Sequence, residues 1–199
     1  MYQFIETICY ENGSFQHMEL HNERCNRTRT HFFGRQPELR IDWHLSVPDH
    51  LKSETLKFTV TYAIEIVNVE YVIYRIRPIR SLRMITDDTI EYEFKYADRS
   101  KLGLLTQKRD YFDDILIIKN GFITDISYAN IIFLLEKRWY SPERPLLSGT
   151  RLRSYLEQGR ITPAPLRPED LSSFSEARMI NAMVSIEQSP VIPIGEIRF

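Results

Sequence analysis

Asp114-Ile115-Leu116-Ile117-Ile118-Lys119-Asn120-Gly121-Phe122-Ile123-Thr124-Asp125 decides the fold class. Two short apolar, β-branched runs flank an Asn-Gly pair. That dipeptide takes the positive φ angles of a type I′ turn, so the stretch reads as a β-hairpin. Working outward, Ala129 to Leu135 reads as a further strand, and Ser100 to Phe112 as a short helix. Thr150 to Gln158 reads as a helix capped by Ser148 or Thr150, with Gly159 ending it. Pro163, Pro165 and Pro168 make a stiff connection, Arg167 to Glu176 carries a short helix, and Met179 to Ile197 supplies closing strands. Towards the N-terminus, Ser81 to Glu93 is extended and broken at Asp87-Asp88. Phe58-Val60-Tyr62-Ile64-Ile66 alternates with polar positions as a half-buried strand, with Tyr71 to Ile76 as its antiparallel neighbour. Leu39 to Leu51 suggests a second helix, although Pro48 opposes a long one. His17 to Phe33 reads as a helix stopped by Gly34, and Phe4 to Ile8 with Ser14 to Gln16 as a hairpin about Asn12-Gly13. The pattern is α+β with antiparallel sheet.

The 199 residues carry 26 Lys+Arg against 27 Asp+Glu, a formal net charge of -1. That balance lacks the basic excess of a nucleic-acid binder, so no nucleic-acid partner is expected. No stretch reaches the roughly 18 apolar residues of a membrane span, and the first residues do not form a signal peptide. The two cysteines, Cys9 and Cys25, are too few for a disulfide scaffold and suit a reducing, cytoplasmic setting.

Three segments carry residue types from which one site could be assembled. Lys95 lies between aromatics in Tyr92-Glu93-Phe94-Lys95-Tyr96-Ala97-Asp98-Arg99. Partial burial disfavours a charged amine, and a neutral amine is what Schiff-base chemistry requires; a surface lysine following a strand has the same sequence. Asp125 sits among very apolar strands and needs a partner, which a cationic ring nitrogen, Arg99 or a backbone turn could supply. Asn130 can serve the same site or simply satisfy local backbone groups. Leu147-Ser148-Gly149-Thr150-Arg151 opens a helix with glycine and hydroxyls, which makes an anion cup or an ordinary capped start. Arg24 would add a phosphate contact, or is a solvated helix residue. An imine-forming lysine, a carboxylate for a pyridinium nitrogen and a phosphate cup are what pyridoxal phosphate needs.

In order and spacing, these segments resemble the class IV pyridoxal-phosphate enzymes of the D-amino-acid and branched-chain aminotransferase type, and within them the 4-amino-4-deoxychorismate lyases. Phe4-Ile5-Glu6-Thr7-Ile8 with Asn12-Gly13 is similar to the family's F-E-T-I-R hairpin. His21-Asn22-Glu23-Arg24 is similar to H-x-x-R-L, and Lys95-Tyr96-Ala97-Asp98-Arg99 to K-x-x-N-R. Gly121 to Phe133 follows G-x-I-T-E-x-x-x-x-N-x-F, Leu147-Ser148-Gly149-Thr150 the phosphate turn, and Asn181-Ala182-Met183 the N-A-L/M segment. The chain departs from the pattern at Asp125 (usually Glu), Cys9 and Leu152 (usually Arg) and Asp98 (usually Asn). The two strands that precede F-E-T-I in the family are not in this sequence.

The resemblance implies a D-amino-acid aminotransferase-like fold. A small N-terminal α/β sandwich-like part is expected over 1–92, shortened to the hairpin and the Arg24 helix, and a larger mixed or antiparallel β-barrel-like part over 93–199. It implies pyridoxal 5'-phosphate joined to Lys95, with Asp125 at the pyridinium nitrogen and Arg24, Asn130, Gly149, Thr150 and Ala182 in the cofactor set. No metal is expected. The implied reaction removes the C4 proton of 4-amino-4-deoxychorismate, through Lys95, and eliminates pyruvate to leave 4-aminobenzoate, a folate precursor. Arg75, Arg77 and Arg80, with Asn181, are the candidates for the substrate's carboxylates; the arginines equally suit an edge strand defended by charge and proline. The other readings are an aminotransferase acting on branched-chain or D-amino acids and a degenerate, non-catalytic ligand-binding homologue. A homodimer is the implied assembly.

Overall fold

The computed structural model describes residues 2–199. The inward phase of the first strand, β1 (Phe4–Glu11), carries Phe4, Glu6 and Ile8, and the same period-2 pattern runs through β3 (Leu56–Tyr62) as Leu56, Phe58, Val60 and Tyr62. These faces bury one core against α1 (Met18–Phe33). The sheet has the order β2-β1-β3-β4, with β2 at Ser14–Phe15 and β4 at Ile66–Ile73, and every pairing in it is antiparallel. Asn12 and Gly13 take the positive φ values of 53° and 80° that the first hairpin requires.

The helix α1 buries a largely polar face, and its polar atoms are satisfied one by one. Fully buried Arg29 donates to the carbonyls of Ile64 and Pro37 and to Asn26 Oδ1. Asn22 and Asn26 receive the amides of Ile41 and Leu39. Those side-chain bonds hold Leu39 to Leu51 in an irregular path with single 3₁₀ turns at Ile41–His44 and Asp49–Leu51, so the second helix expected there does not form. Cys9 and Cys25 are buried and not disulfide-linked, and burial pushes the Cys25 thiol up to about 12.

The chain forms two compact units. The first runs up to Arg75 and takes back Phe94–Asp98; the second comprises Ile76–Glu93 and Arg99–Phe199. The sequence reading places one boundary, after residue 92. The observed division differs because Phe94–Asp98 pairs with β1: Ile5 N donates to Lys95 O, Ala97 N donates to Gln3 O, and Phe4 bridges Tyr96.

The second unit is one mixed sheet with the order β10-β9-β8-β7-β6-β5-β12, while β11 lies against β8. Its strands are β5 (Leu82–Thr86), β6 (Asp114–Lys119), β7 (Phe122–Ile126), β8 (Asn130–Leu135), β9 (Arg138–Pro142), β10 (Ile161–Ala164), β11 (Glu176–Ile180) and β12 (Ile197–Arg198), with helices α2 (Ser100–Gln107) and α3 (Thr150–Glu157). The hairpin β6–β7 forms as expected. Three pairings depart from the antiparallel pattern: β5 with β6, β12 with β5, and β10 with β9 are parallel. Pro163 lies in β10 at the sheet edge, where its missing N–H leaves no partner unsatisfied. The closing segment holds strand only at β11 and β12, with Asn181 to Pro193 folded as turns. No helix among the described residues is long and apolar enough to cross a membrane.

Gly121, at φ 78°, closes the β6–β7 hairpin. Gly121→Ala is expected to cost about 1 kcal/mol, because a Cβ disfavours that φ. A urea midpoint indistinguishable from that of the unmodified protein would refute this.

Candidate active site

In the first unit a carboxylate sits where the strand alternation calls for an apolar side chain. Glu6 points inward between Phe4 and Ile8 and is fully buried. His21 and Arg24, three residues apart on one face of α1, meet it. Arg24 donates from Nε to Glu6 Oε1 at 2.8 Å and from Nη2 to Oε2 at 2.6 Å, a bidentate pair. His21 Nδ1 lies 2.6 Å from Oε2 and, facing a carboxylate that only accepts, is the donor. Burial pushes the Glu6 carboxyl up, but the Arg24 charge and the hydrogen bonds from Arg24 and His21 outweigh it and hold the group at about 2. Burial holds His21 below its ordinary range, against the pull of Glu6; the Arg24 and Lys95 charges act in the same direction as burial. The residue pattern set Arg24 aside for a phosphate and gave Glu6 no part. The available signal was a glutamate in the inward phase of Phe4-Glu6-Ile8.

Lys95 is half-buried in the segment beside β1. Its neighbours are clamped by aromatic rings. Phe94 packs on Phe32 at 4.9 Å and on His31 at 4.6 Å, and Tyr96 packs on Phe4 at 5.2 Å. The lysine backbone is therefore fixed by three rings and by the bond from Ile5, while the side chain carries a titratable amine.

The arginine-rich stretch is not a strand. β4 ends at Ile73, since Tyr74 N takes Thr55 O and the partner strand β3 begins only at Leu56. Arg75 is exposed and faces Glu54 at 3.5 Å. Arg77 donates to the Asp113 carbonyl, and Arg80 is held through its backbone N–H by the Asp113 carboxylate.

In the second unit β7 and β8 share one register pair, Asp125 opposite Asn130. Asp125, only 5% exposed, accepts from Asn130 Nδ2 at 2.8 Å and from Leu147 N at 3.0 Å. Asn130 Nδ2 also donates to Leu147 O at 2.9 Å. The turn that follows opens α3 with Gly149 at the N-cap, in extended backbone, and no side chain caps the helix. Neither Ser148 nor Thr150 is the cap expected from the sequence: Thr150 is already the first helical residue. Buried Thr150 begins a helix whose first-turn N–H groups carry the positive end of its dipole.

Arg151 bends back from α3 and donates to the carbonyls of Asn181 and Ala182 at 2.7 and 2.8 Å. Asn181 Oδ1 accepts from Met183 N and Val184 N, so its side chain shapes its own turn. Ala182 thus lies in a turn tied to the first turn of α3. Leu152, where the family pattern has arginine, is buried with Ile132, Tyr155, Ile161, Ile180 and Ile186; a guanidinium there would be desolvated without a partner. Arg153 turns outward to Glu157. Arg99 donates to Ser127 O rather than to Asp125.

Residues 92–196 match the model of amino-transferase class IV. An uncharacterized protein of Haemophilus influenzae is 35% identical over 185 residues, covering 92% of this chain and 98% of that protein. A Haemophilus somnus crystal structure, of a candidate 4-amino-4-deoxychorismate lyase, superposes with a TM-score of 0.85 at 27% identity, covering 92% of this chain and 97% of that one. A hypothetical aminotransferase from Mycobacterium tuberculosis in its pyridoxal-phosphate-bound form shares the fold, with a TM-score of 0.74 at 13% identity, covering 96% of this chain and 80% of that one.

Proposed function

Because the chain belongs to the class IV aminotransferase family, we propose that it is a pyridoxal-phosphate lyase forming 4-aminobenzoate and pyruvate from 4-amino-4-deoxychorismate. The observation that carries this reading is the near full-length similarity to the Haemophilus somnus candidate lyase. The residues present fit the cofactor. The first unit offers an amine on a rigid backbone; the second offers a buried carboxylate and a helix N-terminus with no side-chain cap and a glycine at the N-cap.

When bound, pyridoxal phosphate supplies an electron sink for the charge left by removal of a substrate proton. Lys95 is the residue that would hold the cofactor in this reading, and its amine, once free of the cofactor, would take the C4 proton of the substrate and return a proton to the departing pyruvate. Asp125, a buried carboxylate, would provide the negative charge that keeps a ring nitrogen protonated. In the first unit Arg24, its guanidinium oriented by Glu6, and in the second unit Gly149 and Thr150 are each candidates to hold the phosphate. Arg75, Arg77 and Arg80 are the cations available to the two substrate carboxylates. The protein works as a cytoplasmic homodimer in this reading.

Purified protein supplied with 4-amino-4-deoxychorismate is expected to release 4-aminobenzoate, followed by fluorescence or chromatography. The same protein given branched-chain or D-amino acids with 2-oxoglutarate is expected to make little glutamate. Glutamate without 4-aminobenzoate would replace the lyase with an aminotransferase. Neither product, from protein that takes up no pyridoxal phosphate, would mark a non-catalytic homologue.

A further inference from the structure

The single register pair between β7 and β8 does more than join two strands. Asn130 Nδ2 faces two acceptors, the Asp125 carboxylate and the Leu147 carbonyl, so both amide hydrogens are used and the orientation of the amide is compelled. Leu147 N returns a bond to the other oxygen of Asp125, which closes a three-membered ring of hydrogen bonds. The remaining atom, Asn130 Oδ1, is aimed at Gly149, where a Cβ would stand only 2.2 Å away. The turn that opens α3 is therefore held from below by one amide, and its glycine is required by that amide.

We propose that Asn130 is a positioning residue. It locks the Leu147–Gly149 turn and the Asp125 carboxylate into one geometry, and it raises affinity for the cofactor's phosphate without touching that phosphate. The sequence reading had placed Asn130 in the cofactor set itself. The inference rests on the pyridoxal-phosphate reading above. Its physical basis is preorganisation: anion-binding N–H groups hold their ligand best when the backbone bearing them is fixed beforehand. Removing the amide leaves the buried Asp125 oxygen and the Leu147 carbonyl each short of a donor, and the turn relaxes to find others.

The test compares pyridoxal phosphate with pyridoxal, which lacks the phosphate, by absorbance titration of the full-length apoprotein. Asn130→Ala is expected to weaken pyridoxal phosphate about 10- to 100-fold, the range for an unmade buried hydrogen bond, while pyridoxal, which feels only the disturbed Asp125 carboxylate, loses at least about fivefold less. In the apoprotein the Leu147 amide, protected in the unmodified chain, is expected to exchange its hydrogen at least about tenfold faster in the variant. Asn130→Ser, which keeps a single shorter donor for the two acceptors, is expected to show both effects in weaker form and serves if Asn130→Ala does not fold. Equal losses for the two ligands would show a general structural role and overturn the proposal, as would unchanged phosphate preference. Unmodified protein that binds neither ligand would instead bring down the cofactor reading and this proposal with it. Retained binding by the unmodified chain, with a variant that keeps its phosphate preference, removes only the role of Asn130.

Discussion

Lys95→Ala is expected to lower the rate of 4-aminobenzoate formation by roughly 10²–10⁴, the range that a positioned acid–base group contributes, or more where the covalent attachment is also lost. Borohydride reduction of the unmodified holoprotein followed by peptide mapping should find a phosphopyridoxyl group on Lys95, and the variant should carry none. The fold should survive the change. The segment is held by its backbone, through Ile5 N to Lys95 O at 2.9 Å and Ala97 N to Gln3 O at 2.9 Å, and by the rings of Phe94 and Tyr96; none of these involves the amine. A thermal midpoint within a few degrees of the original separates loss of chemistry from loss of structure. A label on Lys101 or Lys119, or a variant turning over within threefold of the original rate, would overturn the assignment.

Glu6→Gln is expected to be the most damaging single change to stability. Glu6 is fully buried and holds the Arg24 guanidinium through both of its oxygens, so the variant leaves a desolvated cation without its counter-ion. Breaking one side of a buried pair costs about 3–5 kcal/mol. Depression of the Glu6 carboxyl from 4.5 to about 2 corresponds to roughly 3 kcal/mol, the same effect read through protons. For a chain of this size that is a fall in melting temperature on the order of 10 °C. A Glu6→Gln/Arg24→Met double variant should recover most of it, since removing both charges restores an uncharged interior.

The sign of the pH dependence follows from the same residues. A carboxyl with a depressed folded-state pKa contributes its stability fully above 4.5, and that stability is lost as pH falls towards about 2. Histidine held below its ordinary 6.5 acts in the same direction: below that pH the unfolded chain takes up a proton which buried His21 refuses. Stability of the unmodified protein should therefore fall on acidification from about pH 6.5 downward, and Glu6→Gln should flatten the limb between about 4.5 and 2. A Glu6→Gln protein with an unaltered melting temperature and acid limb would mean that the trio carries no such energy.

How much of this was legible beforehand depended on range along the chain. Asn12-Gly13 and Asn120-Gly121 announced their hairpins because a positive φ is a property of the residues in the turn themselves. Helix α1, its stop at Gly34, the strands β6 and β8, and the α+β class followed for the same reason, whereas the strand read over Phe58 to Ile66 ends at Tyr62 and Ile66 already begins β4. The candidate lysine, carboxylate and glycine turn were visible as motifs. The carboxyl partner of Arg24 was not, although it lies only 18 residues away, because a buried charge pair is settled by which faces desolvate together. Leu152 looked like a lost arginine until its side chain proved to be core, and nothing in the sequence signalled that the oxygen of Asn181, a candidate for the substrate, holds its own turn.

By itself the sequence determined the tight turns, most of the regular elements, the family and the residue types that could do the chemistry, since these depend mainly on each residue and its near neighbours. Tertiary structure alone decided the parallel pairing of β5 with β6, the return of Phe94–Asp98 to β1, the burial of Glu6 against Arg24 and the ring of bonds joining Asp125, Asn130 and Leu147. The physical reason is that a polar or charged group taken out of water must find a partner wherever the chain brings one, and that choice is made only when the core closes.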